Sequence, residues 1–443
     1  MRLDAFSDFG YFWLPGDEDQ SRQVPGMLAV SEAGRVTLET FGYYSDNPLS
    51  LAHGSLGLTD SKLAHIFGYT TKRGAITLVG AVVIHFRMST MTRGAAFNCT
   101  SFVVDNLLTG GFFNKDEPFF DRLACKIEGL HEWLGVSGFT TERESNSTSI
   151  TYQRPPPLPF QISDDIEGEF GLEHSISFHA PAGIKIPEAR YSAYIKLSTS
   201  TTPWTTEDVL SWAFRMRNFI SLGTGAPVAI TALVGWLQKD GQEVAKETNR
   251  EEPVEIFCES VQHSLKSNTN FHPVFMNFTY KDLDDGHSDS IKAWIDLCSE
   301  WSQPVLLFFD ALYGDGILPE DLRFIKVVES LEMLAPAMGI EESDGPRDRV
   351  RRLALKFSEL LGIEKGGETE FAKRVRVTRN WCVHRDPKTR KQQACIGIDL
   401  IRLLRQCEAL LFCCLTARVL GSEAAAINVL RNARPIKDRS GAA

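Results

Sequence analysis

The sequence predicts an α+β protein. We expect a β-rich, sandwich or barrel-like N-terminal domain over residues 1–285, followed by an all-α helical bundle over residues 290–443. Short apolar and aromatic runs separated by Gly, Pro, Asn and Asp fill roughly the first 200 residues, as strands joined by turns would. From about residue 291 the apolar residues recur every three or four positions, as on one face of a helix.

The strands are predicted from alternation and from short apolar runs. Val36, Leu38 and Thr40 alternate with Thr37 and Glu39, which is typical of a strand with one buried face. Several such strands at short spacing favour a sandwich or a barrel. The runs predicted as strands are 26–30, 35–41, 75–86, 96–105, 149–154, 227–237 and 253–258.

The helices are predicted from apolar periodicity and from residues that favour helix ends. We expect one long helix over 291–313 with a kink at Pro304, because proline removes a backbone donor. Residues 262–290 are polar and rich in turn residues, so we expect a loop there, and the tail after Pro435 is expected to fray. The other predicted helices are 205–222, 319–334, 347–361, 368–384, 396–420 and 422–431.

Composition and charge limit the classes of function. No apolar run reaches the roughly 18–20 residues that span a bilayer, and the first residues include Asp4 and Asp8, unlike a secretory signal. We therefore expect a cytoplasmic protein without a membrane partner. The nine cysteines are scattered without metal-ligand spacing, which predicts buried thiols and no metal site.

The charge is divided unevenly along the chain. Residues 345–443 hold 21 Lys and Arg against 10 Asp and Glu, a net charge of +11, whereas residues 1–344 have a net charge of −21. A basic module in an acidic chain predicts either a polyanionic partner or two parts that neutralise each other across an interface.

The segment 378–386 holds the residues on which the functional prediction depends. Arg379 is followed by Asn380 and, four residues further on, by His384. Metal-free RNA cleavage needs a group that moves protons near neutral pH, which histidine supplies. It also needs a cation that holds phosphate oxygens, which arginine supplies. On one helix these two residues lie ~140° apart. Asp386 precedes Pro387, and a residue before proline avoids the helical region. We therefore expect the helix to unwind around His384, which would let His384 approach Arg379.

Basic residues surround this segment. Residues 373–391 contain eight Lys and Arg and one acidic residue. A cluster of this kind favours contacts with phosphates. The residues predicted to bind RNA are Lys373, Arg374, Arg376, Arg385, Lys388, Arg390 and Lys391.

The helical half resembles the HEPN superfamily of RNases, whose signature is Arg, often followed by Asn, and then His after four to six residues. Segments 324–332 and 371–386 and the long apolar helix after them are similar to the C-terminal domain of ApeA-type anti-phage proteins. The N-terminal half is similar to the β-rich domain of those proteins. The segments that carry this similarity are Gly10–Pro15, Gly26–Val30, Gly68–Leu78, Trp133–Phe139 and Tyr152–Pro156.

This resemblance implies a metal-independent endoribonuclease without cofactors that acts in abortive infection. The implied target is tRNA or another host RNA, and the implied assembly is a dimer or higher homo-oligomer through the HEPN domain. Each subunit would contribute Arg379 and His384 to a composite site, with Asn380 as an orienting residue. Glu332 falls where such domains often place an acidic residue facing the motif. A phage-derived trigger is expected to act on the N-terminal domain, whose acidic residues would shield the basic site until then.

Two other functions fit the same sequence. The helical half could be a non-catalytic HEPN module that binds RNA, a nucleotide or a protein. Alternatively, the β-rich half could recognise a carbohydrate or a protein while the bundle only dimerises. No glycine-rich phosphate loop followed by Lys and Ser or Thr is present in the sequence.

Overall fold

A computed structural model describes residues 5–16, 23–31, 34–42, 44, 62–89, 97–113, 119–179, 186–238, 252–259, 271–341, 343–385 and 393–441. The chain forms two compact units. The first unit is drawn from residues 1–127, 168–213 and 229–267, and the second from residues 128–167, 214–228 and 268–443. The second unit therefore takes two segments from the N-terminal part of the chain.

The strands lie between residues 6 and 258, where the sequence predicts a β-rich region. Val36, Leu38 and Thr40 are buried as the alternation predicts. The strands are β1 Phe6–Trp13, β2 Val24–Val30, β3 Val36–Thr40, β4 Lys62–Thr70, β5 Gly74–Ser89, β6 Phe97–Thr109, β7 Phe120–Ile127, β8 Phe139–Arg143, β9 Thr148–Tyr152, β10 Leu158–Gln161, β11 Ile166–His179, β12 Ile186–Thr199, β13 Ile230–Leu237 and β14 Val254–Cys258.

Six strands of the first unit close into a ring. Their order is β6-β3-β2-β1-β4-β5, and β5 pairs again with β6. The ring encloses an apolar core in which the Phe12 ring is fully buried. A Cβ atom on Gly68 would lie 2.6 Å from the Phe12 ring, so this close approach requires glycine. The neighbouring strands continue the sheet in the order β14-β13-β7-β12-β11.

Most helices lie between residues 287 and 440, so the predicted α+β fold is confirmed. A short helix, α1, places Trp133 in a fully buried position. The helices are α1 Leu130–Leu134, α2 Thr206–Thr224, α3 His287–Glu300, α4 Ser302–Tyr313, α5 Glu320–Leu334, α6 Pro346–Lys356, α7 Glu368–His384, α8 Ile398–Val419, α9 Glu423–Leu430 and α10 Arg434–Ser440.

Three local predictions are wrong. The expected helix 291–313 is two helices, because Trp301 leaves helical geometry (φ −122°, ψ 44°). Pro304 lies in the first turn of α4, where a missing N–H breaks no helical hydrogen bond. Part of the expected loop 262–290 is helical, since a 3₁₀ helix covers Tyr280–Gly286 and α3 follows it directly. The tail after Pro435 is helical rather than frayed, because Ile436 is buried.

Helix α8 is the centre of the second unit. It packs against α5, α9 and α10, and nearly every side chain from Cys407 to Val419 is buried. The Phe412 ring meets the Phe308 ring edge to face, with centroids 5.0 Å apart. An apolar helix of this length is stabilised by burial on all sides rather than by one amphipathic face.

Two further sequence predictions concern the cysteines and membrane-spanning segments. All nine cysteines are free, and all except Cys258 are buried, so the predicted buried thiols are confirmed for eight. Burial raises the pKa of the Cys382 thiol to about 11, which keeps it protonated at neutral pH. Among the helices in the described ranges, none combines the length and the apolar character needed to cross a bilayer.

Candidate functional site

Helix α7 carries the sequence motif and ends where the sequence predicts. Arg385 adopts a left-handed conformation (φ 52°), and its N–H donates to the Trp381 carbonyl, which closes the last turn. The expected unwinding does not reach His384, which is the last helical residue. The Asp386-Pro387 step lies outside the described residues.

The buried face of α7 fixes the orientation of the motif. Phe371, Val375, Thr378 and Cys382 are buried, and their spacing of three and four residues defines one face of the helix. The Thr378 hydroxyl accepts a hydrogen bond of 3.0 Å from the Cys395 N–H. This bond attaches the chain that follows the motif to the same helix.

Arg379 faces two glutamates of α5. Its Nη2 lies 3.9 Å from Glu329 Oε1, beyond hydrogen-bond distance, and its guanidinium is about one third exposed. Its Nε is buried and has no hydrogen-bond partner. The permanent charge of Arg379 is therefore balanced by nearby carboxylates but not fixed by them.

Glu332 is the second acidic neighbour. Burial raises the pKa of the Glu332 carboxyl, the positive charge of Arg379 lowers it, and the negative charge of Glu329 raises it. Arg349 of α6 also lowers this pKa, and its Nη1 donates to the Glu332 carbonyl at 3.1 Å. The Glu332 carboxyl therefore lies in the electrostatic environment of Arg379.

Asn380 and His384 lie on a different side of α7 from Arg379. They are four residues apart and therefore share one helix face, whereas Arg379 and His384 are ~140° apart on a regular helix. Asn380 is half-buried and His384 is exposed. Within one chain, the helix brings Asn380 and His384 to one face but directs Arg379 toward α5.

The predicted RNA-binding residues differ in their surroundings. Lys373 and Arg376 are exposed, and Lys373 pairs with Glu370 at 3.2 Å. Arg374 is half-buried, with its Nη2 3.7 Å from the Cys395 sulfur. Arg385 pairs with Asp321 and lies 5.6 Å from the centroid of the Trp381 ring. Lys388, Arg390 and Lys391 fall outside the described residues.

Two acidic residues of the site were missing from the sequence-based prediction. Glu329 lies three residues before Glu332, so both project from the same side of α5. That spacing was visible in the sequence once 319–334 was predicted as a helix. Asp321 could not have been found in this way, because its contact with Arg385 joins residues 64 positions apart.

Within the described part of the chain, no three His, Cys, Asp or Glu side chains are grouped as metal ligands would be. Comparison with protein families matches residues 9–294 to the family model described as ApeA N-terminal domain 1. The match covers 286 of 443 residues. Neither the curated proteins nor the solved structures contain a significant match to this chain.

Proposed function

The chain belongs to the ApeA N-terminal domain 1 family, and on that premise we propose that it is a metal-independent endoribonuclease that acts in anti-phage defence. Family membership indicates the role in defence. The nuclease activity, its HEPN-type site and its RNA target are our proposal. The proposed target is tRNA or another host RNA, and a phage-derived trigger would act through the matched N-terminal region.

The observation that carries this proposal is the state of Arg379. Its guanidinium is partly exposed, makes no hydrogen bond within the described part of the chain, and has its Nη2 3.9 Å from Glu329 Oε1. A guanidinium held by attraction alone can exchange that attraction for charge-assisted hydrogen bonds to phosphate. Glu329 and Glu332 would keep it aligned until RNA arrives.

The proposed chemistry is proton transfer around one phosphodiester. The imidazole of His384 takes the proton from a ribose 2′-OH, and the oxygen attacks the adjacent phosphorus. Arg379 stabilises the negative charge of the phosphorane. A second, protonated imidazole, that of His384 in another copy of the chain, donates its proton to the departing 5′-oxygen. This leaves a 2′,3′-cyclic phosphate on the upstream fragment.

A second copy of the chain would complete this site. One chain offers one histidine and one arginine of the motif, and the ~140° between them on α7 prevents both from facing one phosphate from the same side of the helix. Two copies that meet along α7 would supply two of each. We therefore propose that the active form is a homodimer or a higher homo-oligomer.

We expect His384→Ala and Arg379→Ala each to abolish cleavage of total tRNA by the purified full-length protein. The folded state and the oligomeric state, measured by circular dichroism and by sedimentation, should be unchanged. Products of the wild-type protein should carry 2′,3′-cyclic phosphate or 3′-phosphate ends, and EDTA should not inhibit their formation.

Arg402→Ala is a matched control for these variants. Arg402 is an exposed arginine of α8 that pairs with Asp399, three residues before it, so its loss should leave cleavage intact. Cleavage that persists in His384→Ala would contradict the proposal. RNA binding without cleavage, equal in the wild-type protein and in His384→Ala, would instead support a non-catalytic HEPN module.

A further inference from the structure

A cleft of about 380 Å³ opens on the second unit where α3 and α4 meet the end of α5. Its size lies within the ~300–1,000 Å³ that is typical of small-molecule sites. Trp301, which separates α3 from α4, forms one wall together with Pro304. Met333 of α5 and Pro336, just after α5, also line the cleft. The cleft therefore depends on the helix break that the sequence did not predict.

The lining of the cleft matches a flat ring with a polar edge. An indole, two prolines and a thioether give broad apolar contact, and the exposed side chains of Glu300 and Gln303 lie at its rim. Nucleobases stack on aromatic side chains and present hydrogen-bond donors and acceptors at their edges. Glutamine and glutamate are able to bind such edges in pairs of hydrogen bonds.

A cation distinguishes this cleft from one suited to a neutral ring. Arg349 is part of the lining. Two hydrogen bonds hold its guanidinium, one from Nε to the Asp344 carbonyl at 3.0 Å and one from Nη1 to the Glu332 carbonyl at 3.1 Å. A fixed guanidinium at the side of an apolar cleft favours a ligand that combines a ring with an anionic group. A nucleotide has this combination, and an uncharged sugar lacks it.

The cleft lies beside the candidate site. Met333 follows Glu332 directly on α5, and Arg349 touches both the cleft and Glu332. Glu332 in turn shares the electrostatic environment of Arg379. The cleft therefore adjoins, along α5, the carboxylates that face Arg379.

We propose that this cleft binds a nucleobase together with its phosphate. The inference deepens the proposed function and rests on it for one of two sources of the ligand, a base of the RNA strand next to the cleaved phosphate. The other source is a free nucleotide. Both would use the same contacts, with the ring against Trp301 and Met333 and the phosphate near Arg349.

The test uses the full-length protein and two kinds of probe. One is a fluorescent mixed-sequence RNA hexamer whose 2′-O-methyl groups prevent cleavage, and the other is each of the four 5′-ribonucleoside monophosphates. Met333→Asp introduces negative charge at an exposed position of the cleft, and we expect it to weaken binding about tenfold, the scale of one lost stacking contact. Leu355→Asp makes the same change at an exposed position of α6 away from the cleft residues, and binding should not change.

The outcomes separate the two sources and the two proposals. Sensitivity to Met333→Asp with the hexamer alone would identify a strand base, and the same sensitivity with a monophosphate alone would identify a free nucleotide. Either result would support the cleft even if the wild-type protein cleaved no RNA. In that case only the proposed nuclease activity would be contradicted. Equal binding of every probe by wild-type protein and Met333→Asp, or no binding of any probe, would overturn the inference even if RNA were cleaved.

Discussion

Arg379 enters the candidate site as a cation that its own chain holds loosely. Its Nε is buried without a hydrogen-bond partner, and its contact with Glu329 is 3.9 Å long. An unsatisfied buried donor lowers stability, so this arrangement costs the folded protein free energy. Arg385, by comparison, is already paired with Asp321 and must break that contact before it can bind RNA.

The Glu332 carboxyl gives a prediction at the same scale. Because its pKa is raised in the folded state, the folded protein holds this proton more tightly than the unfolded chain does. Its contribution to the free energy of unfolding is therefore fully present below the unfolded pKa of about 4.3 and is lost as the pH rises through the folded pKa. Glu332→Gln removes this dependence.

We expect the stability of Glu332→Gln relative to the wild-type protein, measured by urea unfolding, to increase as the pH rises above the unfolded pKa of about 4.3 and to level off once the pH has passed the folded pKa. The increase should be larger in an Arg379→Ala background, because Arg379 lowers the pKa of Glu332 and its loss leaves Arg349 as the remaining positive charge that opposes burial. A difference that is independent of pH in both backgrounds would contradict the electrostatic coupling of these two residues.

At the level of elements, a buried ion-pair network joins α5, α8 and α10. Glu408 of α8 accepts a hydrogen bond of 2.8 Å from Arg323 of α5, and Arg439 of α10 lies 3.6 Å away. Burial raises the pKa of the Glu408 carboxyl, and the charges of Arg439 and Arg323 oppose this rise. Arg439 also donates to the Gly225 carbonyl at 2.8 Å. The C-terminal helix is held by these contacts and by buried Ile436.

Glu408→Gln should lower the free energy of unfolding by roughly 3 kcal/mol. It removes the carboxylate that pairs with the buried Arg439 guanidinium, whereas Arg323 keeps its contacts with Asp315 and Glu320. Asp438→Asn is the control, since Asp438 pairs with Arg434 on the surface of α10 and its loss should cost less than about 0.5 kcal/mol. Urea unfolding of both variants measures the difference. Equal costs for the two variants would show that the network does not hold α10.

At the level of the whole molecule, the second unit depends on segments distant in sequence. The Trp294 Nε1–H donates to the Arg215 carbonyl at 2.9 Å, and the Tyr313 hydroxyl donates to the Val228 carbonyl at 3.1 Å. Both acceptors precede the predicted domain boundary at residues 285–290, which stays a prediction. They belong to the same compact unit as the helices.

A fragment of residues 290–443 should therefore be less stable than the helical part of the full chain. It would lose residues 128–167 and 214–228 of its unit and would leave the donors of Trp294 and Tyr313 without their partners. Circular dichroism and urea unfolding, with the full chain as the control, measure this loss. A fragment that unfolds cooperatively at the same urea concentration as the helices of the full chain would place the domain boundary at residue 290. Because the fragment is expected to be less stable, the full chain is the better subject for testing whether the acidic N-terminal half shields the basic site.

The sequence by itself determined that a β-rich part precedes a helical part, the positions of seven strands, the extent of α7 from Glu368 to His384, and the residue types of the motif. These features depend on interactions over three or four residues, which periodicity and helix-end preferences report directly. The sequence did not predict β1, β4, β7, β8, β10, β11 or β12. It failed at Trp301 and at the C-terminal helix, where contacts between distant segments override local preference. Only the tertiary structure decided that Glu329 and Glu332 face Arg379, that Asp321 pairs with Arg385, and that a cleft opens beside Glu332. Each of these depends on how separate helices pack, and no local pattern encodes that packing.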